Sequence, residues 1–366
     1  MKIKNIFFAT TLLFSICCKK SQNQTIIKGN IPNLPDGIMY LSNPEGDKID
    51  SAKTIKGIFT ITHQWNEKEP TYIKVNHIDK KGILRFFSFT TNAKYKGTPG
   101  WSTDVFYSDT IISLNGKFKE NPPIKGYKLP YNIKDVSGVA IKAGKQTEAY
   151  YNIDGDLFDK IDSKTIQTVR DKINKYPYSY HLLYQISDHK NSFSPQQVDE
   201  YLKLFKGEIT QSDSYKKLSV YNQKRFSVKN NDLPLLEDST GKKSEILDPK
   251  YKKHLVVFWA SWCGPCREEI PLLKKNHNDK NDAIEFVSIS IDEDKKAWKK
   301  ALHEEQMNWK QFIVNDKDPN YEKIQMHFRL NAAIPYTVLV DNNMKILKSS
   351  VGLSSEKDLQ SFITNK

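Results

Sequence analysis

The sequence predicts an all-β, sandwich-like domain at residues 25–152, a helical region at residues 153–230 and an α/β domain at residues 231–366. Two patterns lead to this prediction. Short apolar and β-branched runs separated by turn residues fill the first region, which is typical of antiparallel sheets. In the last region strand patterns alternate with helical patterns, which is typical of a layered α/β fold with helices on both faces. A length of 366 residues fits two or three domains.

The first twenty residues have the pattern of a targeting segment. Lys2 and Lys4 form a basic start, and the apolar stretch at residues 6–16 is too short to cross a bilayer. The stretch ends at Cys17 and Cys18. An apolar run that ends in cysteine resembles a bacterial lipoprotein signal, in which the cysteine becomes the lipidated first residue.

Cys18 is the preferred lipidation site, because small Cys17 precedes it whereas bulky Ile16 precedes Cys17. Ser15 departs from the aliphatic residue usual at its position. We therefore predict a lipoprotein-type signal peptide at residues 1–18, with an ordinary secretory signal as the alternative. Either signal implies export, and a lipid would hold the protein at its membrane in the cell envelope.

The formal net charge of +13 does not predict a nucleic-acid partner. A nucleic-acid-binding surface concentrates lysine and arginine in one patch, whereas the lysines here are spread along the whole chain. We interpret the charge as a solvated surface.

The β-domain is predicted from four runs with strand character, at residues 25–28, 37–41, 57–61 and 72–75. Turn residues such as Asn43, Pro44 and Gly46 separate them. We find no catalytic cluster in this region.

The helical region is predicted from capping residues and helical spacing. Ser163 is expected to cap a helix that ends before Pro177. Ser194 with Pro195 is expected to begin a second helix, and a third follows Ser212.

The α/β region is predicted to begin with an extended segment from residue 232. Strands are expected at residues 254–260, 284–291, 336–340 and 345–351, and helices at 265–276, 294–306, 321–330 and 355–363.

Cys263 and Cys266 lie where the first of these strands turns into the first helix. A thiolate is the reactive form of cysteine, and a free thiol with a pKa of about 8.5 is mostly protonated at neutral pH. Unpaired N–H groups and the dipole at a helix start stabilise the anion. We therefore expect Cys263 to be exposed and nucleophilic, and Cys266 to be more buried and to resolve the mixed disulfide.

The cysteine pair has two alternative interpretations, a metal site and a structural disulfide. A closed zinc site needs four ligands, and the chain has no second pair of this spacing, so we expect no metal and no cofactor. A purely structural disulfide would close too small a loop to stabilise the fold much. The histidines that follow residue 250 are scattered singly: His254, His277, His303 and His327.

The run Phe-Trp-Ala-Ser-Trp-Cys-Gly-Pro-Cys at residues 258–266 resembles the motif of the thioredoxin superfamily. Pro271 matches the proline that kinks this helix in thioredoxins. Pro335 matches the cis-proline that faces the cysteine pair, with a trans turn proline as the alternative. The resemblance implies that five residues around the pair form the substrate-binding surface: Trp262, Gly264, Pro265, Ile334 and Pro335.

The sequence departs from that of cytoplasmic thioredoxins in a way that points to one branch of the superfamily. Val257 stands where cytoplasmic thioredoxins carry a buried aspartate, and Glu269 follows Cys266 by one helical turn. Glu269 matches the acidic residue of TlpA- and ResA-like thioredoxins, where it exchanges a proton with the buried cysteine; a surface charge is the alternative. The neighbouring Glu268 is expected to be solvated. The resemblance covers residues 232–366, and residues 26–29, 50–52 and 57–59 more weakly resemble an uncharacterised β-domain that precedes TlpA-like modules.

The expected activity is that of an exported, periplasm-facing thiol–disulfide oxidoreductase. Gly-Pro between the cysteines is the pairing of reducing thioredoxins, so we expect a dithiol reductase of exported proteins, kept reduced by a membrane electron donor. One alternative is an envelope docking protein with an accessory redox module. The other is a thiol peroxidase, which would carry a threonine where Ala260 stands.

Overall fold

The computed structural model describes residues 23–122, 129–229, 232–279, 284–353 and 355–364. Cys18 and the predicted signal peptide lie outside these residues. The chain forms two compact units. The first takes the described residues up to Thr91 together with Gly100–Glu148, and the second takes Asn92–Pro99 and the described residues from Ala149 onward.

The first part of the chain is built mostly of strands, as predicted. They are β1 (Gln24–Asn30), β2 (Gly37–Ser42), β3 (Lys48–Thr54), β4 (Ile58–Gln64), β5 (Tyr72–Asp79), β6 (Leu84–Phe87), β7 (Phe89–Thr90), β8 (Lys94–Tyr95), β9 (Thr98–Pro99), β10 (Ser102–Thr103), β11 (Val105–Tyr107), β12 (Ile111–Asn115), β13 (Lys119–Glu120), β14 (Ile133–Ser137) and β15 (Ala140–Lys142).

Two larger sheets form the first unit within the described residues. One has the order β15-β12-β1-β4, and the other has the order β13-β14-β6-β5-β2-β3 with β11 beside β5. Strand β1 shows why these segments form a sheet, since its buried Ile27 alternates with the exposed Lys28. Gly29 pairs with Phe59 across the sheet, and the phenylalanine ring fills the place that a Cβ atom of Gly29 would take.

Strands β8 and β9 form a hairpin that belongs to the second unit. The N–H of Lys94 donates to Oδ1 of Asp154 at 2.9 Å, and the N–H of Lys96 donates to Oδ2 of Asp156 at 2.9 Å. The hairpin is thus hydrogen-bonded to the segment that precedes the helices of that unit.

Helices follow the β-region, in agreement with the prediction. They are α1 (Lys145–Tyr150), α2 (Ser163–Lys175), α3 (Tyr180–Asp188), α4 (Pro195–Leu204), a 3-10 helix (Gly207–Gln211) and α5 (Asp213–Arg225).

The helix starts follow the capping rules with one correction. Ser194 forms a complete capping box at the start of α4, and Ser212 caps α5. Ser163 is the first residue of α2 and not its cap; the cap is Asp162, whose carboxylate accepts from the N–H of Thr165. Helix α3, which the sequence did not predict, is capped by Ser179.

The last part of the chain is a seven-stranded sheet with helices. The strands are β16 (Leu236–Asp238), β17 (Lys243–Ser244), β18 (Lys253–Trp259), β19 (Glu285–Ser290), β20 (Lys310–Ile313), β21 (Tyr336–Asp341) and β22 (Ile346–Val351), and the helices are α6 (Gly264–Asp279), α7 (Lys295–Glu305), α8 (Tyr321–Phe328) and α9 (Glu356–Thr364).

The sheet has the order β17-β16-β20-β19-β18-β21-β22. Strand β18, an inner strand of the sheet, runs parallel to β19 and antiparallel to β21. Alternate residues of β18 enter two separate cores: Phe258 lies with Phe328 of α8, and Leu255 lies with Phe362 of α9. Helices therefore cover both faces of the sheet, as predicted. The cysteine motif follows the carboxyl end of the buried strand β18.

No helix in the described part of the chain combines the length and the apolar character needed to cross a membrane.

Candidate active site

Cys263 and Cys266 form a disulfide bond at the junction of strand β18 and helix α6. Their Cα atoms are 5.3 Å apart. The N–H of Cys266, in the first turn of α6, donates to Sγ of Cys263 at 3.2 Å. This N–H has no acceptor within the helix and points at the sulfur of Cys263 instead, which is the arrangement that stabilises a thiolate.

Cys263 is more buried than the sequence led us to expect. It is 5% exposed and Cys266 is 2% exposed, so the expected order holds but Cys263 is not exposed. The reason is that both cysteines belong to one apolar cluster with Trp259 and Trp298. The exposed side chain at this point is that of Trp262, which is 67% exposed. Gly264 and Pro265 are also exposed.

The loop that carries Pro335 lies beside the cysteine pair. The peptide bond between Ile334 and Pro335 is cis, as the resemblance implied. Pro335 is buried and directly precedes β21, and Ile334 packs against the apolar cluster that contains both cysteines. Residues separated by about seventy positions in the sequence therefore meet at one surface.

Glu269 is buried, which excludes the alternative of a surface charge. It is 8% exposed, and its Oε1 accepts from the N–H of Leu353 at 2.5 Å. Its Oε2 has no hydrogen-bond partner within the described residues. Burial raises the pKa of Glu269, although the N–H of Leu353 opposes this.

Glu269 and Pro335 are connected through two consecutive residues of the chain. The N–H of Gly352 donates to the carbonyl oxygen of Pro335 at 3.0 Å, and the next N–H, that of Leu353, holds the carboxylate of Glu269. Glu268, one residue away, is exposed as expected. The carboxylate therefore lies on the inner side of α6, one helical turn after Cys266.

Asp292 is a residue of this site that the sequence analysis missed. It is 1% exposed, and its carboxylate accepts from the N–H of Ser261 at 2.8 Å and from its hydroxyl at 2.6 Å. The hydroxyl of Ser290 is a third donor at 2.6 Å. Asp292 thus fixes the turn before Cys263. An acidic residue two positions after the buried strand β19, which neighbours the cysteine-bearing strand, was the available signal.

A cavity of about 540 Å³ opens beside Trp262. Its lining includes Ile291, Glu293 and Tyr321 as well as Ser261 and Trp262. A surface with room for a polypeptide side chain therefore adjoins the cysteine pair.

The described residues contain no group of three or more histidine, cysteine, aspartate or glutamate side chains that could hold a metal ion. His254 instead lies 2.6 Å from Glu285, measured from Nδ1 to Oε2, and both side chains are buried. Burial raises the pKa of Glu285, but hydrogen bonds from His254, the backbone of Asp248 and Lys310 outweigh this and lower it. This pair belongs to the sheet and not to the site.

Comparisons with known proteins show what the region around the site is similar to. The family model described as thioredoxin-like matches residues 251–346. The thiol-disulfide oxidoreductase ResA of Bacillus subtilis (strain 168) is 26% identical over 148 residues, which cover 40% of this chain and 79% of ResA. The thioredoxin-like protein YneN of the same organism is 28% identical over 127 residues, which cover 34% of this chain and 71% of YneN.

Among solved structures, the thioredoxin domain of a thiol-disulfide oxidoreductase from Bacteroides vulgatus is 26% identical. The matched region covers 37% of this chain and 99% of the Bacteroides vulgatus structure, with a TM-score of 0.32. The segment matched by the family model contains Cys263, Cys266, Glu269 and Pro335. Residues 251–346 therefore form a thioredoxin-like domain similar to ResA, and this part of the chain is the redox domain of a thiol–disulfide oxidoreductase.

Proposed function

We propose that this protein is an exported, membrane-tethered dithiol reductase that reduces disulfide bonds in other exported proteins. The main support is the N–H of Cys266, which donates to Sγ of Cys263 at the start of α6. A donor in this place favours the thiolate of Cys263, and a thiolate is the species that attacks a disulfide.

The reaction begins from the reduced form of the pair. The thiolate of Cys263 attacks one sulfur of the substrate disulfide, so a mixed disulfide forms and the other substrate sulfur leaves as a thiolate. Cys266 then attacks Sγ of Cys263, which releases the second substrate sulfur. The substrate gains two electrons and takes up two protons, which equal those lost by the two enzyme thiols. The enzyme is left with the disulfide seen here.

Glu269 is proposed to take the proton of the Cys266 thiol during the second step. It lies one helical turn after Cys266 and has one carboxylate oxygen without a hydrogen-bond partner in the described residues. Burial raises its pKa, which brings a carboxylate closer to the pKa of a thiol and makes it a better base.

Polypeptide substrates are proposed to lie across the surface formed by Trp262, Gly264 and Pro265 on one side and Ile334 and Pro335 on the other. The first three are exposed, and the loop of the other two packs beside the cysteines. Such a surface contacts mostly backbone near the target cysteine, so it suits many protein disulfides.

Export and tethering rest on the first eighteen residues, with Cys18 as the proposed lipidation site. A tethered reductase needs a dithiol partner to return its disulfide to two thiols, and we propose a membrane electron donor in this role. We also propose that the chain is divided into a signal peptide at residues 1–18, a β-domain at 25–152, a helical region at 153–230 and a redox domain at 231–366.

Insulin reduction by the full chain without its signal peptide tests the activity. With a chemical dithiol as the electron source, the wild-type protein should reduce insulin disulfides. Cys263→Ser should abolish this turnover, whereas Cys266→Ser should accumulate a mixed disulfide with insulin. Undiminished turnover by Cys263→Ser would refute the assignment of the nucleophile.

A further inference from the structure

The helical region holds the loop that leads to Pro335. This loop follows helix α8 and its C-cap Arg329, and its first part contains Leu330 and Asn331. The side-chain Nδ2 of Asn191 donates to the carbonyl oxygen of Leu330 at 2.7 Å, and the backbone N–H of Asn191 donates to Oδ1 of Asn331 at 2.9 Å. Nδ2 of Asn331 donates in return to the hydroxyl of Ser192 at 2.8 Å. Three hydrogen bonds therefore join the two segments.

Asn191 is fixed in its place within the helical region. It is 2% exposed, and its side chain exchanges hydrogen bonds with the hydroxyl of Tyr221 in α5, at 2.8 and 3.1 Å. Arg225, also in α5, donates to the carbonyl oxygens of Lys190 and Phe193 at 2.9 and 2.6 Å. Since buried polar groups with satisfied partners rigidify their surroundings, α5 makes Asn191 a stable support.

The loop is held at its other end by the redox domain. The carbonyl oxygen of Pro335 accepts from the N–H of Gly352, and Ile334 packs against the cluster of the cysteine pair. Between the two attachments lie only Ala332 and Ala333, which are exposed. The position of the substrate-binding loop thus depends on the helical region at one end and on the sheet at the other.

We propose that Asn191 is a positioning residue, through which the helical region places Ile334 and Pro335 for the docking of polypeptide substrates. The inference rests on the proposed function, because it assigns the loop to substrate binding. It predicts that the support matters for a protein disulfide, which must lie across the loop. A small disulfide reagent that needs only the sulfur of Cys263 should not depend on it.

The test compares Asn191→Ala with Asn222→Ala in the full chain without its signal peptide. Asn222 is 1% exposed; its Nδ2 donates to the carbonyl oxygen of Pro195 at 2.9 Å and its Oδ1 accepts from Nη1 of Arg225 at 3.2 Å, so both hydrogen bonds stay within the helical region and neither reaches the loop. The two variants each lose a buried asparagine. We expect Asn191→Ala to raise KM for insulin about tenfold, because the loop loses the hydrogen bond that Nδ2 of Asn191 donates to the carbonyl oxygen of Leu330. Its rate with the small disulfide DTNB should be unchanged, and Asn222→Ala should change neither value.

Asn331→Ala provides a second route if Asn191→Ala does not fold. It removes the partner on the loop side and should raise KM for insulin in the same way, and combining both substitutions should add little more. Equal KM values for the wild-type, Asn191→Ala and Asn331→Ala proteins would overturn the inference. Failure of the proposed function would differ, since it would appear as insulin reduction that survives Cys263→Ser.

Discussion

The two compact units each bury a titratable side chain, and only one of these adjoins a reactive group. In the first unit His77 is 0% exposed, and burial together with Arg85 lowers its pKa to about 4. In the second unit Glu269 is 8% exposed, and burial raises its pKa. The physical cause is the same in both cases. A shifted pKa therefore does not identify a site by itself.

The neighbours of the two groups are what differ. His77 lies in β5 near the buried ion pair of Arg85 and Asp79, whose Nη1 and Oδ2 atoms are 2.9 Å apart. That pair is structural. Glu269 lies one turn along α6 from a disulfide. Burial alone therefore does not give an acid or a base a chemical role; we propose one for Glu269 because it lies one helical turn from the disulfide, and none for His77.

The largest expected effect comes from two aspartates with matched surroundings. Asp292 accepts three hydrogen bonds near the cysteines, and Asp109 in the first unit accepts three from the backbone of Gln146 and from the backbone and hydroxyl of Thr147. Substitution of either by alanine should cost at least ~3 kcal/mol of unfolding free energy, because buried donors lose a charged acceptor. Calorimetry should show both losses.

Only Asp292→Ala should also slow insulin reduction at temperatures where both variants are folded, since Asp292 fixes the turn before Cys263. If Asp109→Ala slowed the reaction as much, the first unit would have a part in catalysis and the contrast between the units would break.

The next effect is the pH dependence that His77 gives to stability. The folded protein binds a proton at His77 only near pH 4, whereas the unfolded chain binds it near pH 6.5. Stability from this residue is therefore complete above pH 6.5 and falls as the pH drops toward 4, by about 3 kcal/mol. Urea unfolding of the wild type and of His77→Gln at several pH values should show this difference in slope.

Reductase activity of His77→Gln at pH 7 should match that of the wild type, because the charged groups described around His77, Arg85 and Asp79, are paired with each other. A slower variant would show that the first unit influences the cysteine pair.

For Glu269→Gln we expect a smaller effect on catalysis, an increase in the activation free energy of one reaction step. Loss of the proton acceptor should slow resolution of the mixed disulfide about 10²-fold. Stopped-flow measurement of the second step, with Glu268→Gln as the exposed neighbouring control, checks this. Because the raised pKa means that ionisation of Glu269 destabilises the folded state above pH 4.5, the glutamine variant should gain stability relative to the wild type as the pH rises. Equal rates for both variants would remove Glu269 from the mechanism.

Local sequence signals predicted much of the fold and the centre of the site. The capping residues Ser194 and Ser212 marked two helix starts, and Cys263 with Cys266 marked the reactive pair. These signals work because a cap and a helix-start thiol depend on residues within one turn. Helix α3 was missed because its aromatic-rich sequence has little intrinsic helix preference and it is stabilised by buried residues such as Leu182 and Leu183.

The features that escaped prediction depend on distant contacts. Asn191 and Leu330 are separated by 139 positions, and Asp292 and Ser261 by 31. The burial of Cys263 likewise comes from Trp298 in another helix. Capping and helix-start signals act within one turn and do not indicate which remote segments will meet, so the contact of Asn191 with Leu330 and the burial of Cys263 became apparent only in three dimensions.

The hairpin of β8 and β9 has a practical consequence for anyone who wishes to produce the redox half alone. Because residues 92–99 belong to the second unit, a recombinant fragment that starts at Ala149 would lack part of its own fold. Asp154 and Asp156 would lose the backbone donors of Lys94 and Lys96, and the surface that the hairpin covers would become exposed to solvent. A soluble fragment should therefore be designed with this hairpin grafted ahead of residue 149, since no single cleavage point separates the halves cleanly.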